Sequence, residues 1–224
     1  MNHSLKVTIG GWFLGILLSC AVAGAVAKAH VVAFGRWIPV QWFAASDSVP
    51  LIMKVRPMVV DGRVREYVVG PPHEITDRMF VVRRAFRVND SLPEEPGARW
   101  RWQRGGWLIV DQLSGRVSAA NLPAFDPYFS AASWYRDYVA YCGVGDDGKK
   151  TYAVVAQLNR RKPVLKKALA NLLPEDAAPD SICPAPLWQR NPMRVSFAPE
   201  GADKQTFAIR GTAADLMGEA EEEE

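Results

Sequence analysis

From His30 onward the chain alternates short apolar runs, rich in β-branched and aromatic residues, with breaks carrying Gly, Asp and Pro. Residues 30–43 (H-V-V-A-F-G-R-W-I-P-V-Q-W-F) form the first run, and its composition predicts strand. Residues 51–60 and 64–69 flank Asp61-Gly62-Arg63, by composition a hairpin turn. Residues 79–88 (M-F-V-V-R-R-A-F-R-V) are a further extended run. Runs at 107–111 and 116–119 bracket Ser114-Gly115, and runs at 138–144 and 151–158 bracket Gly145-Asp146-Asp147-Gly148. Late strands are predicted at 194–198 and 206–210, turning at Gly201. Helical propensity is concentrated in residues 164–173 (V-L-K-K-A-L-A-N-L-L), ahead of Pro174, which predicts one short helix. Strands joined by short turns, without alternating helices, predict an all-β domain of antiparallel sheets.

The first 29 residues have a different character. Residues 7–27 are uncharged and mostly apolar, and Lys6 precedes them. Ala25-Val26-Ala27 and Ala27-Lys28-Ala29 fit small-residue cleavage sites, so residues 1–29 read as a signal peptide. The 21 apolar residues also suffice for a hydrophobic helix across a bilayer core of about 30 Å. An uncleaved anchor would hold the protein at the membrane with the body facing outward. Leu17-Leu18-Ser19-Cys20 resembles a bacterial lipoprotein box, a third outcome for the same segment. All three readings predict export, to a periplasmic, membrane-anchored or extracellular location. The remainder divides into a β-rich domain at 30–173, a Pro-rich extension with a hairpin at 174–218, and an acidic tail at 219–224 expected to be disordered.

That tail masks the charge of the body. Five of the 24 acids lie in it, leaving 19 against 27 bases, about +8. A basic body favours anionic surfaces. Its densest runs are Arg83-Arg84, Lys149-Lys150, Arg160-Arg161-Lys162 and Lys166-Lys167. Once Cys20 leaves with the leader, Cys142 and Cys183 remain, either as a disulfide in an oxidising compartment or as two buried thiols.

Two resemblances bear on architecture. Residues 105–122 (G-G-W-L-I-V-D-Q-L-S-G-R-V-S-A-A-N-L) resemble a fragment of a β-propeller blade. At about 40–45 residues per blade the body holds four at most, so a partial or degenerate propeller competes with a sandwich or small barrel. Residues 130–150 (S-A-A-S-W-Y-R-D-Y-V-A-Y-C-G-V-G-D-D-G-K-K), together with 99–107 (R-W-R-W-Q-R-G-G-W), resemble uncharacterised exported bacterial proteins. That likeness implies a bacterial envelope context and carries no activity with it.

Signals for chemistry are few. The histidines are His3, His30 and His73, and no zinc or EF-hand spacing occurs, so neither a metal nor a cofactor is expected. His73-Glu74-Ile75-Thr76-Asp77 lacks the second histidine of a zinc helix, and Pro71-Pro72 before it predicts a turn. Ser130, Ser133 and Cys142 are the available nucleophiles, with His30 or His73 as base, but no G-x-S-x-G elbow surrounds them. Asp126 and Asp137 flank an aromatic stretch and are the best carboxylate pair for a glycoside-type hydrolase. Trp100 and Trp102 alternate with Arg99 and Arg101, which in a strand places the tryptophans on one face and the arginines on the other. With Trp134 and Tyr135 they form a candidate binding set, the aromatics stacking on sugar rings and the arginines meeting acidic groups. The competing reading, which the residue type itself favours in a strand, places the same tryptophans in the core.

The expectation is therefore an exported, non-catalytic envelope protein that binds a polysaccharide, another envelope protein or an anionic surface, with no nucleic-acid partner. An envelope hydrolase using Asp126 and Asp137 and a membrane-tethered scaffold are the alternatives.

Overall fold

A computed structural model of the protein describes residues 29–43, 50–94, 96–145, 150–170 and 183–217. The leader with Cys20, the turn at 146–148, Lys149, the start of the Pro-rich segment (residues 174–182) and the acidic tail lie outside the described residues. Within them the fold is all-β, with strands in three sheets and no helix.

The first sheet contains β1 (Val32–Phe34), β2 (Ile38–Trp42), β3 (Leu51–Val60), β4 (Arg63–Glu74), β5 (Met79–Asn89), β6 (Trp100–Asp111) and β7 (Arg116–Ala119). Its order is β1-β3-β2-β6-β5-β4, with β7 on β6 and β3 also paired to β4. The expected turn joins β3 to β4, with positive φ at both Asp61 and Gly62 (51° and 78°), the conformation a two-residue hairpin of this twist requires. The expectation of purely antiparallel sheets is corrected here. β2 meets β6 in parallel, at Trp42 and Trp102, so this sheet is mixed. The pairings thus run from β2 through β3, β4, β5 and β6 back to β2.

Long strands allow both faces to be used. Phe80 and Val82 of β5 join Met58, Val68, Leu108 and Val110 in one core, against which Val32, Phe34 and Val117 pack. Ala85 of the same strand joins Trp42, Met53 and Val55 in a second, flanked by Tyr67, Trp102 and Tyr128. Neighbours such as Tyr67 and Val68 point to opposite sides, as a strand's period of two demands. Pro71-Pro72 does not form the expected turn. Both prolines lie within β4, where the pairing with β5 shifts between Val69 and His73 and Gly70 adopts a φ of 73°. A missing amide hydrogen is tolerated at such an irregularity.

The second sheet comprises β8 (Ser133–Tyr135), β9 (Tyr138–Val144), β10 (Thr151–Gln157) and β11 (Leu165–Ala170), in the order β11-β10-β9-β8. The third comprises β12 (Leu187–Gln189), β13 (Arg194–Phe197), β14 (Gln205–Arg210) and β15 (Ala213–Leu216), paired in sequence order. Ala140, Cys142, Ala153 and Val155 of the second sheet share one core with Val195, Phe197, Phe207 and Ile209 of the third. A disulfide joins Cys142 to Cys183, their Cα atoms 6.1 Å apart.

The helix expected at 164–173 is absent where the chain is described; β11 takes its place, antiparallel to β10. In that strand Leu165 and Leu169 pack on the core between the sheets, and the Lys167 ammonium lies over the Phe207 ring on the same side. Lys166 turns the other way, over Tyr152. Burial of two leucines in this pairing outweighs a helix propensity of a few tenths of a kcal/mol per residue, about the spread among ordinary residues.

The other side of the second sheet carries Val139, Tyr141, Val154 and Ala156, covered by Leu122, Phe125 and Ala132 of the segment linking the first two sheets. Arg83 and Arg104 hold that segment in place, donating to the backbone carbonyls of Pro127 (2.7 Å) and Tyr128 (2.9 Å).

Candidate functional site

β4 and β5 pair from Tyr67 and Ala85 in one direction only. On the other side of that point, residues 63–66 follow β3, while residues 86–89 follow β6. The parting strands open a cleft of about 370 Å³ lined by Val64, Arg65, Tyr67, Arg87, Trp100 and Trp102. Arg87 lies directly across the ladder from Trp102. Its guanidinium sits 5.5 Å from the Trp102 ring and 5.8 Å from that of Trp100. Trp102 is half-buried and meets Tyr67 edge-on at 5.2 Å, whereas Trp100 remains 58% exposed. A rigid aromatic surface beside a guanidinium suits a ligand with apolar ring faces and negative groups.

The alternation read from R-W-R-W places side chains as expected, but the arginines serve a different end. Arg101 Nε lies 2.6 Å from the Asp90 carboxylate, with its guanidinium 4.5 Å from the centre of the Phe43 ring. Arg99 donates to the Asp90 carbonyl at 2.8 Å and lies 3.5 Å from its carboxylate. Both fasten the connection between β5 and β6. The cations beside the tryptophans are Arg87 and Arg65, which the sequence reading did not single out. The only signal for Arg87 is its cross-strand register, which requires the pairing to be known.

Trp134 and Tyr135 lie apart from this cleft. Trp134 packs between sheets, stacked on His73 (5.9 Å, 27°) and edge-on to Trp107 (5.3 Å). Tyr135 pairs with Trp188, whose indole N–H donates to the Ser133 carbonyl. Asp126 accepts the backbone N–H groups of Tyr128 (2.7 Å) and Phe129 (3.2 Å), an Asx turn. Asp137 accepts from the Gln157 amide at 2.8 Å.

Two of the three nominated nucleophiles, Ser130 and Cys142, are also engaged in structure. Ser130 is fully buried and donates to the Cys142 carbonyl at 2.7 Å, and Cys142 is in the disulfide rather than a thiol. His30 bonds to Asp61, and His73 to the Arg136 carbonyl. No group of three or more His, Cys, Asp or Glu among the described residues is placed to hold a metal ion.

A second cleft adjoins the first, and a third adjoins the second. The second, of about 480 Å³, shares Arg65 and Glu66 with the first and reaches Arg84, Arg116 and the edge strand β7. Arg84 Nε lies 2.9 Å from the Glu66 carboxylate. The next, of about 550 Å³, shares Arg116, Ser118 and Ala119 and extends to Arg160 and Arg161.

Comparison of the chain with protein-family models, with curated proteins and with solved structures finds no match to any of them.

Proposed function

We propose that the chain is an exported binding module of a bacterial cell envelope, and that its ligand is an acidic polysaccharide taken into the cleft of Trp100, Trp102 and Arg87. The supporting observation is the placement of Trp100, a large aromatic left 58% exposed beside a guanidinium shared with Trp102. A sugar ring covering the indole would remove apolar surface from water, and a uronate carboxylate would meet Arg87 with its fork of donors. The apolar residues 7–27 and the Cys142–Cys183 disulfide fit an exported chain in an oxidising compartment. In the same reading the closed cycle of pairings from β2 to β6 is a small barrel, and the facing second and third sheets are a sandwich.

Titration of the full chain with short oligogalacturonates, followed by tryptophan fluorescence and calorimetry, tests the reading. Saturable binding is expected, absent for a neutral dextran of equal length, with Trp100→Ala weakening it about tenfold or more, as loss of an aromatic anchor does. Equal affinity in the variant, or no binding by the unaltered chain, would overturn it.

A further inference from the structure

The cleft around Trp100 does not end at its own walls. It shares Arg65 and Glu66 with a second cleft, which shares Arg116, Ser118 and Ala119 with a third. We infer that the three form one track for a linear polyanionic glycan, running from Trp100 past Arg65, over β7 at Arg116, to Arg160 and Arg161. This inference rests on the proposed function and extends it from one sugar subsite to a chain of them.

The charge along the path supports this. Arg65, Arg116, Arg160 and Arg161 are exposed, and among the described residues none of the four is in an ion pair. The contact of Arg160 is a long hydrogen bond to the Gln157 side chain, 3.5 Å. Of the two acids along the route, one is paired with a cation and the other is tied into a turn. Glu66 is paired with Arg84, and Asp111 takes hydrogen bonds from the Ser114 hydroxyl and from the N–H groups of Leu113 and Ser114. The path thus carries four exposed arginines against one unpaired carboxylate, Asp111, with Glu66 neutralised by Arg84, a net positive distribution that attracts a polyanion and holds it at several points.

Length agrees with a polymer rather than a single sugar. Along β6 the path covers the distance from Trp102 to Asp111, roughly 30 Å at the rise of an extended strand.

The track predicts a dependence on ligand length that the aromatic cleft alone does not. Affinities of the full chain for oligogalacturonates of two, four and eight residues are to be compared at low and at moderate salt. From the shortest to the longest an increase of about tenfold or more is expected as successive contacts act together, and salt should diminish it. In a chain carrying Arg116→Glu, Arg160→Glu and Arg161→Glu the ratio of longest to shortest should collapse toward one, with an unchanged melting temperature showing that the exposed substitutions leave the fold intact. If the dimer binds the unaltered chain without gain from length, or if the triple variant keeps the gain, the track is wrong while the aromatic site stands. If none of the three lengths binds at all, the proposed function itself fails. An equal length gain with single-stranded DNA of matched charge would overturn the assignment to a glycan.

Discussion

His73 Nε2 of β4 lies 2.8 Å from the backbone carbonyl of Arg136, in the turn between β8 and β9. A carbonyl only accepts, so Nε2 carries the proton, and the same ring stacks on Trp134. One side chain thus fastens the first sheet to the second by a hydrogen bond and by ring contact. His73→Ala should lower stability by about 1 kcal/mol for the bond and more for the lost stacking. His73→Phe, which keeps the ring, should lose less. Urea denaturation of the two variants checks the order, and equal losses would show that the stacking contributes nothing.

The disulfide bears on the core between the second and third sheets. Cys142 lies within that core on β9, and Cys183 precedes the third sheet. Replacing both with Ala should cost about 2–4 kcal/mol, largely by freeing the unfolded chain. Melting with and without reductant measures it: the unaltered chain should lose several degrees on reduction, and the double variant should not respond.

Acid should weaken the fold at two turns. The hydrogen bond from His30 and the N–H of Val31 hold the Asp61 carboxyl below the usual carboxylate range. The Ser114 hydroxyl and the N–H groups of Leu113 and Ser114 do the same for Asp111. A carboxyl whose folded pKa is depressed contributes stability that is present above the ordinary range and lost as pH falls through the folded value. Stability should therefore be level at neutral pH and decline below about pH 4, where unfolded carboxyls begin to take up protons. Asp61→Asn with Asp111→Asn should flatten that decline in acid melting curves; an unaltered slope would assign it to other carboxylates.

Asp126 and Asp137 separate a binding module from a hydrolase. Their present partners are backbone N–H groups and the Gln157 amide. Asp126→Asn and Asp137→Asn should bind oligogalacturonate with unchanged affinity, because neither lines the aromatic cleft. Release of reducing ends from the polymer by the unaltered chain, abolished by either substitution, would establish the hydrolase instead.

Strand content was legible because apolar runs and turn residues are local properties. Asp61-Gly62 marked its hairpin correctly, since few pairs of residues tolerate two positive φ angles. Residues 164–173 misled because a run of Leu, Lys and Ala favours a helix only by small increments, which the pairing with β10 reverses. Pro71-Pro72 misled because a β-irregularity accepts proline as readily as a turn does. At the candidate site, Trp100 and Trp102 were identifiable from their alternation with arginine. Arg87 and Arg65 were not, because register and the parting of two strands set their place beside the tryptophans. Trp134 and Tyr135 carried the same composition signal as Trp100, and only tertiary packing tells the groups apart.

The parallel contact between Trp42 and Trp102 has a consequence for the order in which the chain acquires structure. β3, β4 and β5 find partners in their immediate neighbours, whereas the contact between β2 and β6 joins Trp42 to Trp102, 60 positions further along the chain. Such distant closure slows folding, and until it happens β2 and β6 present bare edges on which another copy can pair. A chain interrupted before β6 would retain most of its hairpins and yet be prone to aggregate, so the last strand of the cycle guards the nascent protein as much as it stabilises the finished one.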